Sequence, residues 1–338
     1  MSEIRVLSGK DVASCLSMSE VIEAVESTYK QKATGVAEAW PMVYHAFEPG
    51  VADMDIKSGV LGDAGVFGHK TVAWFSENPK RGLPDLFGLI VVMSAETGEP
   101  VGVVDGAGIT GLRTGAAGAL GAKALANPKS ESLLMVGAGH QALFQIAATL
   151  LLFDGLKVVR VANPHNPDRA RDLATLLPQK LSEQFGIERS SVRFEAVGDL
   201  SQAVADSDII ITATMATSPL IENAWVRPGT HISCMGADMP GKQEIDPAII
   251  ARARLFTDDT ANCAGNGEIE LGLAAGAFGI GHVAGELGEV LVGKVPGRVT
   301  PDDITVFDSA GTALLDIAAA KIALDRATTL GLGTVAPF

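Results

Sequence analysis

Two glycines in the middle of the chain form a pattern that could bind phosphate groups. Gly137 and Gly139 lie in the segment GAGHQA, which follows the apolar run SLLMV and opens an apolar helix. In a G-x-G-x-x-A turn between a strand and a helix, the first glycine permits the tight turn, and the second lets the backbone approach a dinucleotide pyrophosphate. The N–H groups of His140 and Gln141, aided by the helix dipole, would then hold the phosphates. A purely structural turn can have the same spacing, so the strand-to-helix context carries the prediction of dinucleotide binding.

The type of nicotinamide cofactor depends on the residue that ends the second strand. That residue contacts the adenosine ribose and is usually Asp or Glu in NAD enzymes. The matching residue here is Asn163, in the segment VANPHNPDRA. It is neutral, so the usual NAD signal is missing, but a 2′-phosphate would need a cation, and only His165 and the more distant Arg169 are available. We therefore favour NAD and leave NADP open.

Short apolar runs alternate with helical segments in the second half of the chain, which is typical of parallel strands buried on both faces. The runs are SLLMV, KVVRVA, RFEAV, SDIIITAT, HISCMG and ARLFTDD. We predict an α/β protein in which residues 121–305 form a Rossmann-type, doubly wound parallel sheet domain. Residues 1–120 and 306–338 are expected to form a smaller α+β domain. It would contain an opening helix from Asp11 to about Ala33 with Ser19 as its cap, a mostly antiparallel sheet and a C-terminal apolar helix.

Composition argues against several other classes of protein. The 26 Lys and Arg residues face 40 Asp and Glu, a net charge of −14, whereas nucleic-acid binding depends on clustered cations. No apolar run reaches the roughly 18 residues that cross a bilayer, and the first residues lack a signal peptide, so we expect a cytoplasmic protein without a membrane partner. The three cysteines lie far apart and the six histidines lack ligand spacing, so we predict neither disulfides nor a metal site.

Five segments spread over nearly the whole chain resemble one family. They are HKTVAWFSENPKRGLP, LRTGAAG, VGAGHQA, GTHISCMGADMPGKQEID and TVFDSAGTALLD. In this order they are similar to the ornithine cyclodeaminase and mu-crystallin family, whose relatives include alanine dehydrogenases, ketimine reductases and iminosuccinate reductases. The resemblance implies that the smaller domain binds substrate and is completed by the C-terminal helix. It also implies a homodimer formed through the N-terminal sheet.

The resemblance assigns the chemistry to three residues. Lys70 and Arg113 take the positions of the family's substrate-binding cations, which suit the carboxylate of an amino or imino acid, and Lys70 is also counted as catalytic. Asp238 follows HISCMG, at the carboxyl end of a strand, and takes the position of the acid/base that moves protons at the substrate nitrogen. By residue type alone, an exposed lysine, a surface arginine and a helix N-cap would be the simpler interpretation.

Further positions carry over from the family to the cofactor and the substrate. Relatives often have Thr at the position of Asp85, which puts its expected contact with the nicotinamide side in doubt. Each of the others could equally be a cap or a turn residue. The residues expected to contact the cofactor are Asp85, Thr214, Met235, Lys242 and Ser309, and Ala310 is expected to face the substrate.

The sequence departs from many relatives upstream of Lys70. They have an arginine followed by a Met-Pro-Ala turn, but this chain reads VADMDIKSG, with no arginine between Arg5 and Arg81. Lys57 is the substitute cation, and this local pattern looks more like the iminosuccinate reductases. We therefore hypothesise that Lys57, Lys70 and Arg113 together bind the two carboxylates of a dicarboxylic imine such as iminosuccinate.

These residues favour an NAD(P)-dependent imino-acid reductase or, in the reverse direction, an L-amino-acid dehydrogenase. Hydride would pass between the nicotinamide and the α-carbon of a small imino or amino acid. An ornithine cyclodeaminase-type lyase with internally recycled NAD would use the same core residues. A non-catalytic ligand-binding protein, as in mu-crystallin, is a third interpretation.

Overall fold

A computed structural model describes residues 3–338 and divides the chain into two compact units. Unit 1 comprises Met1–Arg113 and Thr312–Phe338, and unit 2 comprises Thr114–Gly311. The strands are β1 (Glu3–Leu7), β2 (Ala37–Glu48), β3 (Ala52–Leu61), β4 (Val66–Phe75), β5 (Leu86–Ser94), β6 (Pro100–Asp105), β7 (Ser132–Val136), β8 (Val158–Ala162), β9 (Arg193–Ala196), β10 (Ile209–Thr212), β11 (Thr217–Ile221), β12 (His231–Cys234), β13 (Gln243–Ile245), β14 (Arg254–Thr257), β15 (Val283–Glu286), β16 (Thr305–Asp308) and β17 (Thr334–Pro337). The α-helices are α1 (Gly9–Cys15), α2 (Met18–Thr34), α3 (Gly106–Leu125), α4 (His140–Leu152), α5 (Pro167–Phe185), α6 (Leu200–Ala205), α7 (Pro247–Arg252), α8 (Thr260–Asn266), α9 (Glu270–Ala274), α10 (Leu287–Leu291) and α11 (Ala313–Leu330), and short 3-10 helices occur at Asn78–Arg81, Asn223–Trp225 and Ile280–His282.

Unit 1 is built on a seven-stranded sheet with the order β17-β1-β6-β5-β4-β3-β2. Strands β2 to β6 follow one another as antiparallel neighbours, while β1 pairs parallel to β6 and antiparallel to β17. Because successive side chains of a strand alternate between faces, the register fixes which residues share a face. Lys57, Lys70 and Ile90 form a buried row across β3, β4 and β5. The neighbouring row, which includes Val43 and Leu89, lies on the opposite face.

Helix α11 covers the buried face of this sheet. Its apolar residues Leu314 and Ile317 join a core with Ile90 of β5. The approach is close at Gly59, where an added Cβ would lie 2.5 Å from the Glu38 carbonyl oxygen and 2.7 Å from Leu314 Cδ2. A glycine is therefore needed there for the helix to pack on β3, and the expected return of the C-terminal helix to the N-terminal part of the chain is observed.

Unit 2 is built on an eight-stranded parallel sheet with the order β15-β14-β16-β12-β10-β7-β8-β9. The run β9-β8-β7-β10-β12 is the strand order of a dinucleotide-binding fold, in which the order reverses next to β7. Every strand expected from the apolar runs of residues 121–305 is present. The predicted fold class, a Rossmann-type parallel sheet with a second α+β domain, is therefore confirmed.

Some local expectations differ from the structure. The opening helix is two helices, because Leu16 and Ser17 have extended backbone angles, and the cap of α2 is Ser17 rather than Ser19. Strand β16 pairs with β12 and β14 of unit 2, so the expected boundary at residues 305/306 falls inside that sheet. The units divide at residues 311/312 and at 113/114, whereas the expected boundary was 120/121, and both of these positions lie inside α3. Within the described residues, none of the helices combines the length and the apolar character that a membrane span needs.

The N-cap of α2 gives a test of this local structure. Ser17 Oγ accepts a hydrogen bond from Glu20 N (3.3 Å), and Glu20 Oε2 accepts one from Ser17 N (3.1 Å), a reciprocal capping box. We expect Ser17→Ala to lower the free energy of unfolding by about 1 kcal/mol, measured by urea denaturation. Ser19→Ala is the matched control, because this serine lies inside the helix. An equal loss in both variants would contradict the cap.

Candidate functional site

The turn after β7 has the geometry of a dinucleotide-binding loop. Gly137 has a φ of 108°, and its N–H donates to the Ala162 carbonyl oxygen at 2.8 Å. An added Cβ would lie 2.5 Å from the carbonyl oxygen of Ala213, so both the backbone angle and the space require glycine. The turn is thereby held against the ends of β8 and β10, on either side of β7 in the sheet.

The start of α4 fits a phosphate group. Gly139 is the N-cap, no side chain caps the helix, and a Cβ added at Gly139 would meet nothing within 4 Å. His140 is exposed and Gln141 is half-buried. A cleft of about 530 Å³ adjoins this turn between α4 and α5, and Gly139, His140, Phe144 and Arg169 are among its lining residues. Open space at a helix N-terminus without a side-chain cap is what a pyrophosphate requires, so the residues present fit a dinucleotide.

Asn163 lies where the sequence predicts it, directly after β8. Its Oδ1 accepts a hydrogen bond from Asn166 N at 3.1 Å, and Asn166 in turn caps α5. The side chain therefore shapes the turn at the place where a ribose would be bound. Whether it also contacts a cofactor stays a prediction.

Three predicted cations of unit 1 come together around a buried carboxylate, Asp316. Lys70 Nζ lies 3.2 Å from Asp316 Oδ1 and 3.1 Å from Oδ2, and Arg113 Nε lies 3.0 Å from Oδ1. Lys57 is directly opposite Lys70 in the register of β3 and β4. Lys70 and Arg113 are only 3% and 7% exposed, and Asp316 is fully buried. The interpretation of Lys70 and Arg113 as an exposed lysine and a surface arginine is therefore wrong.

The pKa values of this cluster follow from burial and from the charges of its neighbouring side chains. Burial lowers the pKa of Lys70 to about 8, Arg113 and Lys57 act in the same direction, and Asp316 opposes them. Burial alone would raise the pKa of Asp316, but Arg113 and Lys70 outweigh it and hold that pKa below its usual value. Asp316 therefore stays ionised at neutral pH, and Asp55 of β3 is a second carboxylate that acts on Lys70. Buried cations that retain their charge in this way can attract an anionic substrate.

Asp238 of unit 2 lies in the segment after β12 and forms an ion pair with Lys242. Lys242 Nζ is 2.6 Å from Asp238 Oδ1 and 3.3 Å from the carbonyl oxygen of Gly236. The Asp238 side chain is 49% exposed, whereas that of Lys242 is 11% exposed. The carboxylate thus has access to solvent at the carboxyl edge of the sheet, and it forms an ion pair with the more buried amine of Lys242. Lys242 binds this protein's own carboxylate and backbone, and its predicted cofactor contact stays a prediction.

The other predicted cofactor residues lie in three different environments. Thr214 and Met235 follow β10 and β12, at the same edge of the sheet as Gly137. Ser309 is buried after β16, where its Oγ donates to Asp258 Oδ2 at 2.7 Å. Asp85 belongs to unit 1 and is exposed just before β5.

Ala310 is in the hydrophobic core of unit 2, with 1% exposure. The expectation that Ala310 faces the substrate stays a prediction. In the described part of the chain, no three His, Cys, Asp or Glu side chains are grouped so that they could hold a metal ion.

Sequence reasoning missed two buried acidic residues that contact predicted site residues. Asp316 lies 246 residues from Lys70 and 203 from Arg113, so no local spacing connects them. Its only sequence signal is an acidic residue in the otherwise apolar first turns of α11. The second is Glu244, which accepts hydrogen bonds from Thr214 and Gly236. An acidic residue in a short, buried strand was the available signal.

Comparison with known proteins places this chain in a family. The chain belongs to the ornithine cyclodeaminase/mu-crystallin family, whose model matches residues 2–330. An archaeal alanine dehydrogenase dimer with bound NAD is 34% identical, with a TM-score of 0.91 over 100% of both chains. The iminosuccinate reductase of Paracoccus denitrificans is 35% identical over 97% of this chain and 98% of its own length, and its NAD⁺ complex has a TM-score of 0.90. The Δ1-pyrroline-2-carboxylate reductase of Thermococcus litoralis, solved with NADH and L-proline, is 30% identical, with a TM-score of 0.89 over 98% of this chain and 99% of its own.

The ion pairs of Asp316 predict a large and pH-dependent loss of stability on mutation. Asp316→Asn leaves buried cations without their counter-ion, which costs about 3–5 kcal/mol of unfolding free energy. Because Asp316 raises the pKa of Lys70, the variant lysine loses its proton at a lower pH than the wild-type lysine. The deficit is therefore largest in acid, where Lys70 is protonated in both proteins, shrinks as the pH rises toward about 8, and is constant above that.

Urea denaturation across this pH range would measure the effect. Asp325→Asn, on the exposed side of the same helix, is the control, because its ion pair with Lys321 is open to solvent. A similar small loss in both variants, or a deficit independent of pH, would refute the assignment.

Proposed function

We propose that this chain is an NAD-dependent oxidoreductase that interconverts an imino acid and the corresponding L-amino acid. The observation that carries the proposal is the buried cation cluster of Lys57, Lys70 and Arg113, in a chain that also has a dinucleotide-type turn. The relatives agree with this class, because they are named as an alanine dehydrogenase, an iminosuccinate reductase and a Δ1-pyrroline-2-carboxylate reductase.

Lys70 and Arg113 would bind the substrate carboxylate. Asp316 accepts from Arg113 Nε, and the two Nη groups of the same guanidinium supply the planar fork that binds a carboxylate in a bidentate way. Lys70 adds a point charge. Its pKa of about 8 means that the ammonium form dominates at neutral pH, and the anionic substrate would favour that form further.

Asp238 would move the proton of the substrate nitrogen. Its partly exposed carboxylate can exchange protons with water, and its ion pair with Lys242 fixes one oxygen. Bound nicotinamide would supply or accept the hydride at the substrate α-carbon. Fixing the carboxylate and the nitrogen of one substrate would leave that carbon in a single orientation, which is a large part of the rate acceleration in such reactions.

NAD is the proposed cofactor. The solved relatives carry NAD, NAD⁺ or NADH, and Asn163 provides no positive charge for a 2′-phosphate. Arg169, which lines the cleft between α4 and α5, is the residue to replace if the protein were found to accept NADPH. We also propose that the protein is located in the cytoplasm, as the sequence analysis predicts.

The direct test is an NADH oxidation screen with pyruvate, oxaloacetate, glyoxylate and cyclic ketimines, each with and without ammonia or methylamine. We expect NADH to be consumed in proportion to the imine reduced. Release of ammonia from ornithine without net NADH formation would favour a cyclodeaminase instead. NADH binding without turnover of any imine would favour a ligand-binding protein.

Lys57 is proposed to extend the site to a second carboxylate. It acts on the same buried Asp316 as Lys70 and Arg113, and it is itself buried. With oxaloacetate and ammonia as the source of a dicarboxylic imine, we expect Lys57→Met to lower kcat/KM about tenfold or more, since a buried charged contact is lost. With pyruvate and ammonia, the same variant should change little. An unchanged ratio between the two substrates would remove Lys57 from the site.

We also propose that the protein forms a homodimer through the sheet of unit 1. The face opposite α11 carries the exposed apolar residues Trp40, Val43, Phe87 and Leu89, and an apolar patch on a sheet surface marks an interaction site. The archaeal alanine dehydrogenase relative was solved as a dimer.

Light scattering tests the dimer at micromolar concentration. We expect the wild-type protein to have the mass of two chains and Leu89→Arg to have the mass of one, because a charge would be buried in an apolar interface. Leu176→Arg on α5 of unit 2 is the control, since this leucine is similarly exposed and lies outside the sheet. A monomeric wild-type protein, or a dimer in both variants, would reject this interface.

A further inference from the structure

One buried carboxylate joins two of the segments that end the parallel strands of unit 2. Glu244 lies in β13 and is fully buried. Its Oε1 accepts from Thr214 N (2.7 Å) and Thr214 Oγ1 (2.8 Å), after β10. Its Oε2 accepts from Thr212 Oγ1 (2.6 Å) and from Gly236 N (2.9 Å), after β12. Four donors from two separate segments therefore converge on one side chain.

The neighbouring backbone is shaped to admit this carboxylate. A Cβ added at Gly236 would lie 2.5 Å from Glu244 Oε1 and 2.5 Å from both N and O of Thr214. The two segments are therefore in contact at this point, with no room for a side chain. Lys242, two residues before Glu244, also reaches both segments, since its Nζ lies 3.3 Å from the Gly236 carbonyl oxygen and 3.5 Å from Met215 Sδ.

Glu244 is in turn held by further buried carboxylates. Glu268 accepts from the backbone N of Glu244 (2.9 Å) and of Ile245 (2.8 Å). Asp308, at the end of β16, accepts from the backbone N of Glu268 (3.1 Å) and of Ile269 (3.2 Å). Burial raises the pKa of Glu244 and that of Glu268, and it raises the pKa of Asp308 to about 8. Burying each of these carboxyls costs desolvation energy, which its hydrogen bonds must offset.

We propose that Glu244 is a positioning residue of the cofactor site, fixing the segments after β10 and β12 and, through the second, placing Asp238. This inference rests on the proposed nicotinamide-dependent function. Thr214, Met235 and Asp238 all lie in these two segments, at the strand ends where open parallel sheets bind their ligands. Glu244 itself is fully buried in the core and has no access to a ligand.

Glutamine cannot replace Glu244 in this arrangement. Each carboxylate oxygen accepts from a backbone N–H, Thr214 N on one side and Gly236 N on the other. In either orientation of a glutamine amide, the NH₂ group would face one of these donors, and a backbone N–H cannot reverse its role as a hydroxyl can. One segment would therefore lose its anchor while the shape of the side chain is kept.

The experiment compares Glu244→Gln with Asp208→Asn. Asp208 lies just before β10, at the end of the strand opposite to Thr214. Its Oδ2 accepts from Glu131 N (2.8 Å) and Ser132 N (3.1 Å). Both variants should lower the melting temperature, because each disturbs an anchored backbone. NADH affinity, measured by fluorescence titration well below the melting temperature, should weaken about tenfold or more only in Glu244→Gln. Hydrogen exchange at the amides of Thr214 and Gly236 should speed up only in that variant.

The outcomes separate the positioning role from the proposed function. If the wild-type protein binds no NADH, the proposed NAD-dependent function is refuted. If the wild-type protein and Glu244→Gln bind NADH equally, or if Asp208→Asn weakens binding as much, the positioning role is refuted. Should Glu244→Gln not fold, Thr212→Val removes one donor to Oε2 within β10 and should weaken NADH binding to a smaller but measurable extent. Unchanged affinity in a folded Thr212→Val would then count against the proposal.

Discussion

The structure of unit 1 depends on one buried carboxylate. Lys70 and Arg113 are in the interior, where a cation without a partner costs several kcal/mol, and Asp316 is the anion that both of them contact. Asp316 belongs to α11, near the end of the chain. The C-terminal helix must therefore return to the N-terminal sheet, and its close packing at Gly59 is what brings the carboxylate to β4. Electrostatics and packing require the same path of the chain.

Unit 2 keeps its buried carboxylates by a different arrangement. Glu244, Glu268 and Asp308 accept hydrogen bonds from backbone N–H groups, whereas Asp316 contacts side-chain cations. The difference suits the two roles proposed above. A backbone N–H fixes the path of a loop, which a cofactor site at the strand ends requires, and a cation cluster keeps positive charge available for an anionic substrate. Both arrangements leave little freedom to move, which is the condition for holding a reacting carbon in one orientation.

Sequence could predict what is encoded locally. The turn from Gly137 to α4 and the parallel strands of unit 2 have short-range signatures, so their prediction succeeded. The cap of α2 was misplaced by two residues, although Ser17 and Glu20 have the spacing of a capping box and could have identified it. Asp316 was missed because its partners are more than 200 residues away in sequence, and no spacing rule reaches so far. The family resemblance supplied Lys70 and Arg113, but not the counter-ion that lets them be buried.

Lys57 differs from Lys70 and Arg113 in its relation to the buried carboxylate. Lys70 and Arg113 contact Asp316 directly, so replacing either would disturb the charge balance of the core. Lys57 is on the neighbouring strand in the same row and contributes to the pKa values of Asp316 and Lys70. The substrate role proposed for Lys57 therefore belongs to a different strand from Lys70, and its effects on substrate preference and on stability can be measured separately from those of Lys70 and Arg113.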